Sequence, residues 1–585
     1  MSDPIPGPGN GQTLLSPVQR DTAWNRLGSE QFDVIVIGGG VVGAGAALDA
    51  ATRGLKVALV EARDFASGTS SRSSKMFHGG LRYLEQLEFG LVREALYERE
   101  LSLTTLAPHL VKPLPFLFPL TKRLWERPYI AAGIFLYDQL GGAKSVPAQK
   151  HLLKAGALRL APGLKRSSLI GAIRYYDTVV DDARHTMTVA RTAAHYGAVV
   201  RTSTQVVALL REGDRVTGVR VRDSETGAVT EVCGHVVVNA TGVWTDEIQA
   251  LSKQRGRFRV RASKGVHIVV PRDRIVSEVA IILRTEKSVL FVIPWGTHWI
   301  IGTTDTDWNL DLAHPAATKA DIDYILGHVN KVLATPLNHD DIDGVYAGLR
   351  PLLAGESEET SKLSREHAVA VPAPGLVAIA GGKYTTYRVM GEDAIDAASE
   401  FVPTRVAPSI TEKVPLLGAD GYFALINQTE HVGQHYGLHP YRVRHLLDRY
   451  GSLIGEVLDM ARENAAVRPD LLEPITEAPV YLKVEAWYAA AAEGALHLED
   501  ILARRMRISI EYQHRGVDCA REVAEVIAPV LGWSAEDIDR EVATYLARVE
   551  AEVLSQTQPD DESADALRAA APESRAEILE PVPLD

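Results

Sequence analysis

A strand, a glycine turn, a helix, a second strand and an acid follow one another between Phe32 and Glu61, and no other stretch limits the fold so tightly. Phe32-Asp33-Val34-Ile35-Val36-Ile37 is short, apolar and rich in β-branched residues, which predicts a buried strand. Gly38-Gly39-Gly40-Val41-Val42-Gly43 is a G-x-G-x-x-G, and the alanine-rich Ala44 to Thr52 reads as a helix stopped by Arg53-Gly54. A second strand, Lys56 to Val60, ends on Glu61. This is the order a dinucleotide site needs. Gly38 permits the tight turn, Gly40 lets backbone approach a pyrophosphate, and Gly43 lets the helix pack on the strand. The first N–H groups of the helix face the phosphate, and Glu61 stands where a carboxylate holds a ribose hydroxyl.

The next two segments extend this site. Ala66 to Lys75 is dense in hydroxyls, and Ser70, Ser73 and Ser74 are candidates to bond pyrophosphate and ribitol oxygens. The alternative is an ordinary surface loop. Behind it, Met76-Phe77-His78-Gly79-Gly80-Leu81-Arg82-Tyr83 offers two glycines that let backbone pass close to a flat ring, with His78, Arg82 and Tyr83 as polar handles.

The run Ser-Ser-Arg-Ser-Ser-Lys-Met-Phe-His-Gly-Gly-Leu-Arg-Tyr-Leu-Glu from Ser70 to Glu85 resembles the signature of FAD-dependent, quinone-linked glycerol-3-phosphate dehydrogenases. Four later blocks agree in order: Lys264 to Pro271, Ile301 to Asp305, Tyr346 to Leu352 and Ala380 to Arg388. The resemblance implies an α/β chain with an FAD-binding Rossmann-like domain of the glutathione-reductase type, an antiparallel-sheet substrate domain and a C-terminal all-α domain. It implies FAD as cofactor, glycerol 3-phosphate as substrate and membrane quinone as electron acceptor. Val206, on a strand expected over Ala198 to Leu210, would offer backbone to the adenine side. Thr241-Gly242 closes a buried strand beside the cofactor, and Gly382, Lys383 and Thr385 turn into a helix whose N-terminus would face the flavin pyrimidine.

The substrate is a dianion with a secondary alcohol, so the site needs fixed cations, a base and a dry flavin face. Arginine suits phosphate because its planar fork binds two oxygens. Arg350 and Arg365 match the family's substrate arginines, with Arg82 and Tyr83 as further ligands. Lys383 would add positive charge beside the ring. His267 is the candidate base, against a hydrogen-bonded core histidine, and His78 or a water could serve instead. Val266 replaces a small polar residue expected before that histidine.

The rest of the chain is expected to divide simply. Residues 1–30 read as a mobile leader, 31–402 as the FAD domain interleaved with a substrate domain at roughly 82–175 and 257–365, and 403–417 as a linker. Residues 418–552 read as a helical domain, on the cap or homodimer side in the family, and 553–585 as a disordered tail with at most a short helix near Ala564 to Ala570. Arg504-Arg505-Arg507 reads as a solvated face. A net charge of −13 argues against nucleic-acid binding, and Cys233 and Cys519, outside any C-x-x-C, suggest neither metal nor disulfide in a reducing cytoplasm.

No window approaches 18 consecutive apolar residues, so membrane contact would be peripheral, on the inner face of the plasma membrane. Lys112 to Tyr137 mixes prolines, basic residues and aromatics (Phe116, Phe118, Lys122, Arg123, Trp125, Arg127, Tyr129, Phe135). That mix suits an anchor on anionic lipid, or equally a helix capping the core. A glycerol-3-phosphate oxidase using oxygen and an FAD-holding scaffold without turnover are the competing readings.

Overall fold

The computed structural model describes residues 14–575, except 81, 86, 122–125, 142–144, 253–258, 286–288 and 355–365, together with the side chains of 82, 85, 127 and 141. The strand Gln31–Ile37 lies at the centre of an eight-stranded sheet, paired in parallel with Val57–Val60 on one side and Val229–Asn239 on the other. Val199–Arg201 and Leu376–Gly381 extend the parallel core. Thr204–Glu212, Arg215–Asp223 and His367–Ala373 add antiparallel pairs.

Both faces of this sheet are covered, which is why its strands are apolar throughout. Val34 and Val36 point into the cluster under the helices Val41–Thr52, Asp182–His195 and Tyr387–Ser399. Ile35 and Ile37, one residue out of phase, enter the opposite cluster.

A second sheet of ten strands forms the floor of the substrate side. Its long strand Val260–Pro271 pairs antiparallel with Gly344–Leu353, His298–Gly302 and Thr306–Trp308. One pair breaks the antiparallel expectation: Ala280–Arg284 runs parallel to Lys112–Leu120. The helix Lys319–Val329, capped by a Thr318/Asp321 box, stands in a region read from sequence as strands.

Five further expectations are corrected. The leader holds a packed helix, Pro17–Ser29, started by Ser16 and buried through Ala23 and Leu27 (residues 1–13 lie outside the described set). Phe116 and Phe118 belong to the strand Lys112–Leu120 and are buried in the core, because, two residues apart, they share the face of the sheet that packs into an apolar cluster with Tyr175, Phe291 and Ile300. Lys122, Arg123 and Trp125 lie outside the described residues. The expected single strand at 198–210 is broken at Thr202-Ser203, where Ser203 takes φ +47°.

Finally, Arg504, Arg505 and Arg507 are buried, not solvated. The reason is acids distant in sequence: Asp64 receives both Arg504 and Arg505, while Asp181 and Asp182 receive Arg507. The described part of the tail is folded: the helix Ala535–Ser555 runs past 552, and Asp561–Ala569 packs its Ala564 against Val243, Trp308 and Leu349. Arg575 forks onto Asp500. Residues 403–417 are irregular but packed, with Val414 and Leu416 buried on the nucleotide-binding core. The helices from Tyr422 onward form their own apolar cluster.

Candidate active site

A cavity of about 890 Å³ runs between the two sheets. It stands near the top of the ~300–1,000 Å³ usual for small-molecule clefts, which gives room for a dinucleotide. At one end the glycine turn closes tightly. Gly38 has φ +109°, and a Cβ there would lie 2.7 Å from Ala240 O. A Cβ on Gly43 would fall 1.9 Å from Gly38 O, so Gly43 serves helix–turn packing and does not line the cavity. Val41 N–H, in the first turn of the helix, donates to Ser70 Oγ at 3.0 Å. Glu61 Oε2 accepts from Gly39 N–H at 2.6 Å and Oε1 from Arg63 N–H at 2.7 Å. Burial raises the Glu61 pKa, and these two backbone bonds offset only part of that rise.

The middle of the cavity is walled by backbone turns. His78 and Thr385 are tied twice: Thr385 Oγ1 takes the His78 N–H and donates to His78 O, each at 3.2 Å. Gly80 (φ +77°) abuts the Tyr83 ring, over which Lys383 Nζ sits at 3.8 Å; Nζ is also 3.5 Å from Gly79 O. Gly79 faces away from the cavity, donating its N–H to Tyr137 OH at 2.7 Å. Gly382 (φ +80°), Thr241, Gly242 (φ +61°) and Val206 complete the wall.

At the substrate end, His267 and Arg350 lie on the paired strands Val260–Pro271 and Gly344–Leu353. Gly265, between them, has no side chain because a Cβ would meet Arg350 Nη2 at 2.6 Å. The Arg350 fork is aimed by Thr303 Oγ1 (3.0 Å) and Thr304 O (3.3 Å). His267 stacks on Tyr346 at 4.8 Å and shares a hydrogen bond of 2.9 Å between Nε2 and Ser74 Oγ. Its Nδ1 is enclosed without a partner. Burial, then Arg350 and Lys75, hold the imidazole well below its ordinary pKa, so it is neutral.

The cavity therefore gathers Gly38, Gly40, Glu61, Ser70, Ser73, Ser74, His78, Gly80, Tyr83, Val206, Thr241, Gly242, His267, Arg350, Gly382, Lys383 and Thr385. Ser73 spends its hydroxyl on Asp182 (2.7 Å), and so meets the cavity without a free donor. Arg82 begins a short helix, but its side chain, like all of Arg365, lies outside the described residues. Three neighbours have no role in the sequence reading. Tyr346 floors His267 and holds Ser73 O, and Lys75 is buried on Asp182 with its pKa lowered to about 8, by burial first and then by Arg507. Asp177, behind the Tyr137–Gly79 contact, is pushed up to about 6 by burial.

Comparison with known proteins gives a consistent result. Residues 33–388 match the family model described as FAD dependent oxidoreductase, and residues 409–538 match the C-terminal domain of alpha-glycerophosphate oxidase. The chain is 86% identical, over the full length of both, to glycerol-3-phosphate dehydrogenase 2 of Mycobacterium tuberculosis. It is 36% identical to mitochondrial glycerol-3-phosphate dehydrogenase of Mus musculus, covering 86% of this chain and 71% of that one. Among solved structures, the glycerol-3-phosphate dehydrogenase from Bacillus halodurans complexed with FAD superposes with a TM-score of 0.77 at 28% identity, covering 93% of this chain and 99% of that one.

Proposed function

Because this chain belongs to the FAD-dependent glycerol-3-phosphate dehydrogenases, we propose that its large cavity oxidises sn-glycerol 3-phosphate to dihydroxyacetone phosphate and that the electrons leave to a membrane quinone. FAD, when bound, would supply the hydride acceptor for the substrate's C2. The glycine turn and Glu61 would hold its dinucleotide end, and His78, Gly80, Thr241-Gly242 and Gly382–Thr385 would enclose its ring.

The observation that carries this reading is the side-by-side placement of a fixed guanidinium and a neutral imidazole on adjacent strands. Arg350 binds the phosphate, with Arg82, Tyr83 and Arg365 as further ligands. His267 accepts the hydroxyl proton at Nε2, the nitrogen it shares with Ser74, since Nδ1 is enclosed. Lys383 brings positive charge to the ring side. As C2 gives up a hydride and its hydroxyl a proton, a ketone forms and the electron count closes.

Membrane contact is assigned to the helix Glu126–Gly141. Its inner face buries Ile130, Ile134 and Tyr137, while Tyr129, Phe135 and Leu136 stand exposed on the outer one. Among the described residues no helix is long and apolar enough to cross a membrane, so this face would rest on anionic lipid at the inner surface of the plasma membrane. The family resemblance implies a homodimer as the working unit.

Anaerobic titration with glycerol 3-phosphate tests the reaction. Bleaching of the flavin band is expected, and Arg350→Ala should need about 30-fold more substrate, the equivalent of ~2 kcal/mol for a desolvated charge pair losing one partner. No bleaching in the wild type would sink the reading. Rapid reoxidation by oxygen with hydrogen peroxide release would replace quinone as the acceptor.

A further inference from the structure

A second cavity, of about 100 Å³, lies where the hydroxyl-rich loop, the substrate sheet and the C-terminal helices meet. Its walls carry six arginines, Arg72, Arg504, Arg507, Arg515, Arg548 and Arg568, against two acids, Glu499 and Glu552. Five of the six guanidinium groups are ion-paired, some of them to the two acids of the wall itself. Arg504 meets Asp64 and Asp500, Arg507 meets Asp181 and Asp182, Arg548 meets Glu499 and Glu573, and Arg515 and Arg568 share Glu552.

Arg72 is different. It donates Nη1 to Ala313 O at 2.9 Å and makes no ion pair among the described residues. Burial, then the nearby Arg568, hold its pKa down to about 10, the direction expected where cations crowd without enough acid. Two more donors of the same wall, Arg568 Nε and Gln556 Nε2, are enclosed and have no acceptor. Buried N–H groups without acceptors are costly, and a guanidinium fork matches the oxygens of a tetrahedral anion.

We propose that this cavity binds a compact tetrahedral dianion, inorganic phosphate or the phosphate group of a small ester, at a position separate from the substrate. Arg568, Gln556 and Arg515 line it without lining the large cavity. Arg72 borders both, and its carbonyl oxygen lies against Gly348, where a Cβ would approach to 2.5 Å, two residues before Arg350. An anion held here would pin the helix Asp561–Ala569 to the loop that carries Ser74. Its distinctness from the substrate position rests on the Arg350 assignment, and the titrations below separate the two.

The test is calorimetric titration of the FAD-loaded enzyme with inorganic phosphate, and in parallel with methyl phosphate, which cannot be oxidised at C2. Wild type should show two sites and Arg350→Ala one. Arg568→Met should weaken the other by about tenfold or more, as truncating one partner of a buried charged contact does. Glu552 keeps Arg515 in that variant, so the acid is not left unpaired. Gln556→Leu, which removes an enclosed donor and no charge, should weaken the same site. Phosphate should raise the Tm of Arg350→Ala but not that of the Arg350→Ala/Arg568→Met double variant. Tighter binding of the free ion or of the ester at this site names the source. If Arg568→Met and Gln556→Leu both titrate as wild type does, the site is overturned, whatever Arg350→Ala shows.

Discussion

Single residues in this protein are tuned chiefly by burial. His185 is enclosed between Phe77, Tyr384 and Tyr387, and burial pushes its pKa down to about 3. The unfolded chain takes that proton near 6.5, so between the two values the unfolded state binds more protons and stability falls as pH falls. Going from pH 6.5 to about pH 5, the loss from this group is ~2 kcal/mol. His185→Gln, which can still meet Tyr384 OH, should therefore lose about that much less than wild type over the same interval. Urea unfolding of both proteins at the two pH values checks it, and equal losses would mean that the ring is hydrated or protonated in the fold. His497 runs the other way: burial and Arg575 oppose its charge, but Glu225 and Glu541 prevail and raise it to about 9. Its contribution is complete below pH 6.5 and is lost as pH rises through about 9.

Among the elements, the junction of the C-terminal helices with the nucleotide-binding strand matters most. Asp64, three residues after Glu61, is fully buried and accepts from Arg504 Nε at 2.6 Å and from both arms of Arg505 at 2.8 Å. Arg184 forks onto Glu493 across the same junction. Removing one partner of such a buried network strands the other charge, which costs about 3–5 kcal/mol. Asp64→Ala should lower stability by that amount in equilibrium unfolding. Since Arg504 keeps Asp500, most of the loss falls on Arg505, and adding Arg505→Met should recover part of it. A change under ~1 kcal/mol would show that the junction relaxes without its ion pairs.

At the scale of the whole molecule, two large sheets and a helical domain leave the helix Glu126–Gly141 with apolar residues on both faces. The inner face of Glu126–Gly141 reaches the site, because Tyr137 OH takes the Gly79 N–H and donates to Asp177 at 2.7 Å. The outer face exposes Tyr129, Phe135 and Leu136, with Phe135 57% exposed, and three apolar side chains on one helix make a candidate contact patch. Phe135→Ser/Leu136→Ser should reduce co-sedimentation with anionic vesicles and slow reduction of a membrane quinone, while bleaching by glycerol 3-phosphate in solution is unchanged. Undiminished vesicle binding would move the membrane contact elsewhere.

Local chemistry was legible before any coordinates. The strand–turn–helix from Phe32 to Thr52, the covered parallel strands and the residues that meet around the large cavity follow from periodicity, glycine spacing and the five family blocks, since each is written within a few consecutive positions. What chain reading left out are relations between distant segments. Arg504, Arg505 and Arg507 look solvated until Asp64, Asp181 and Asp182 arrive from more than three hundred residues away, and the acidic tail looks unstructured until Asp561 finds Lys264 and Ala564 finds an apolar recess. A charge declares its type in the sequence, but whether it is hydrated or paired depends on which surfaces close around it. That was decided only when the helices packed against the nucleotide-binding sheet.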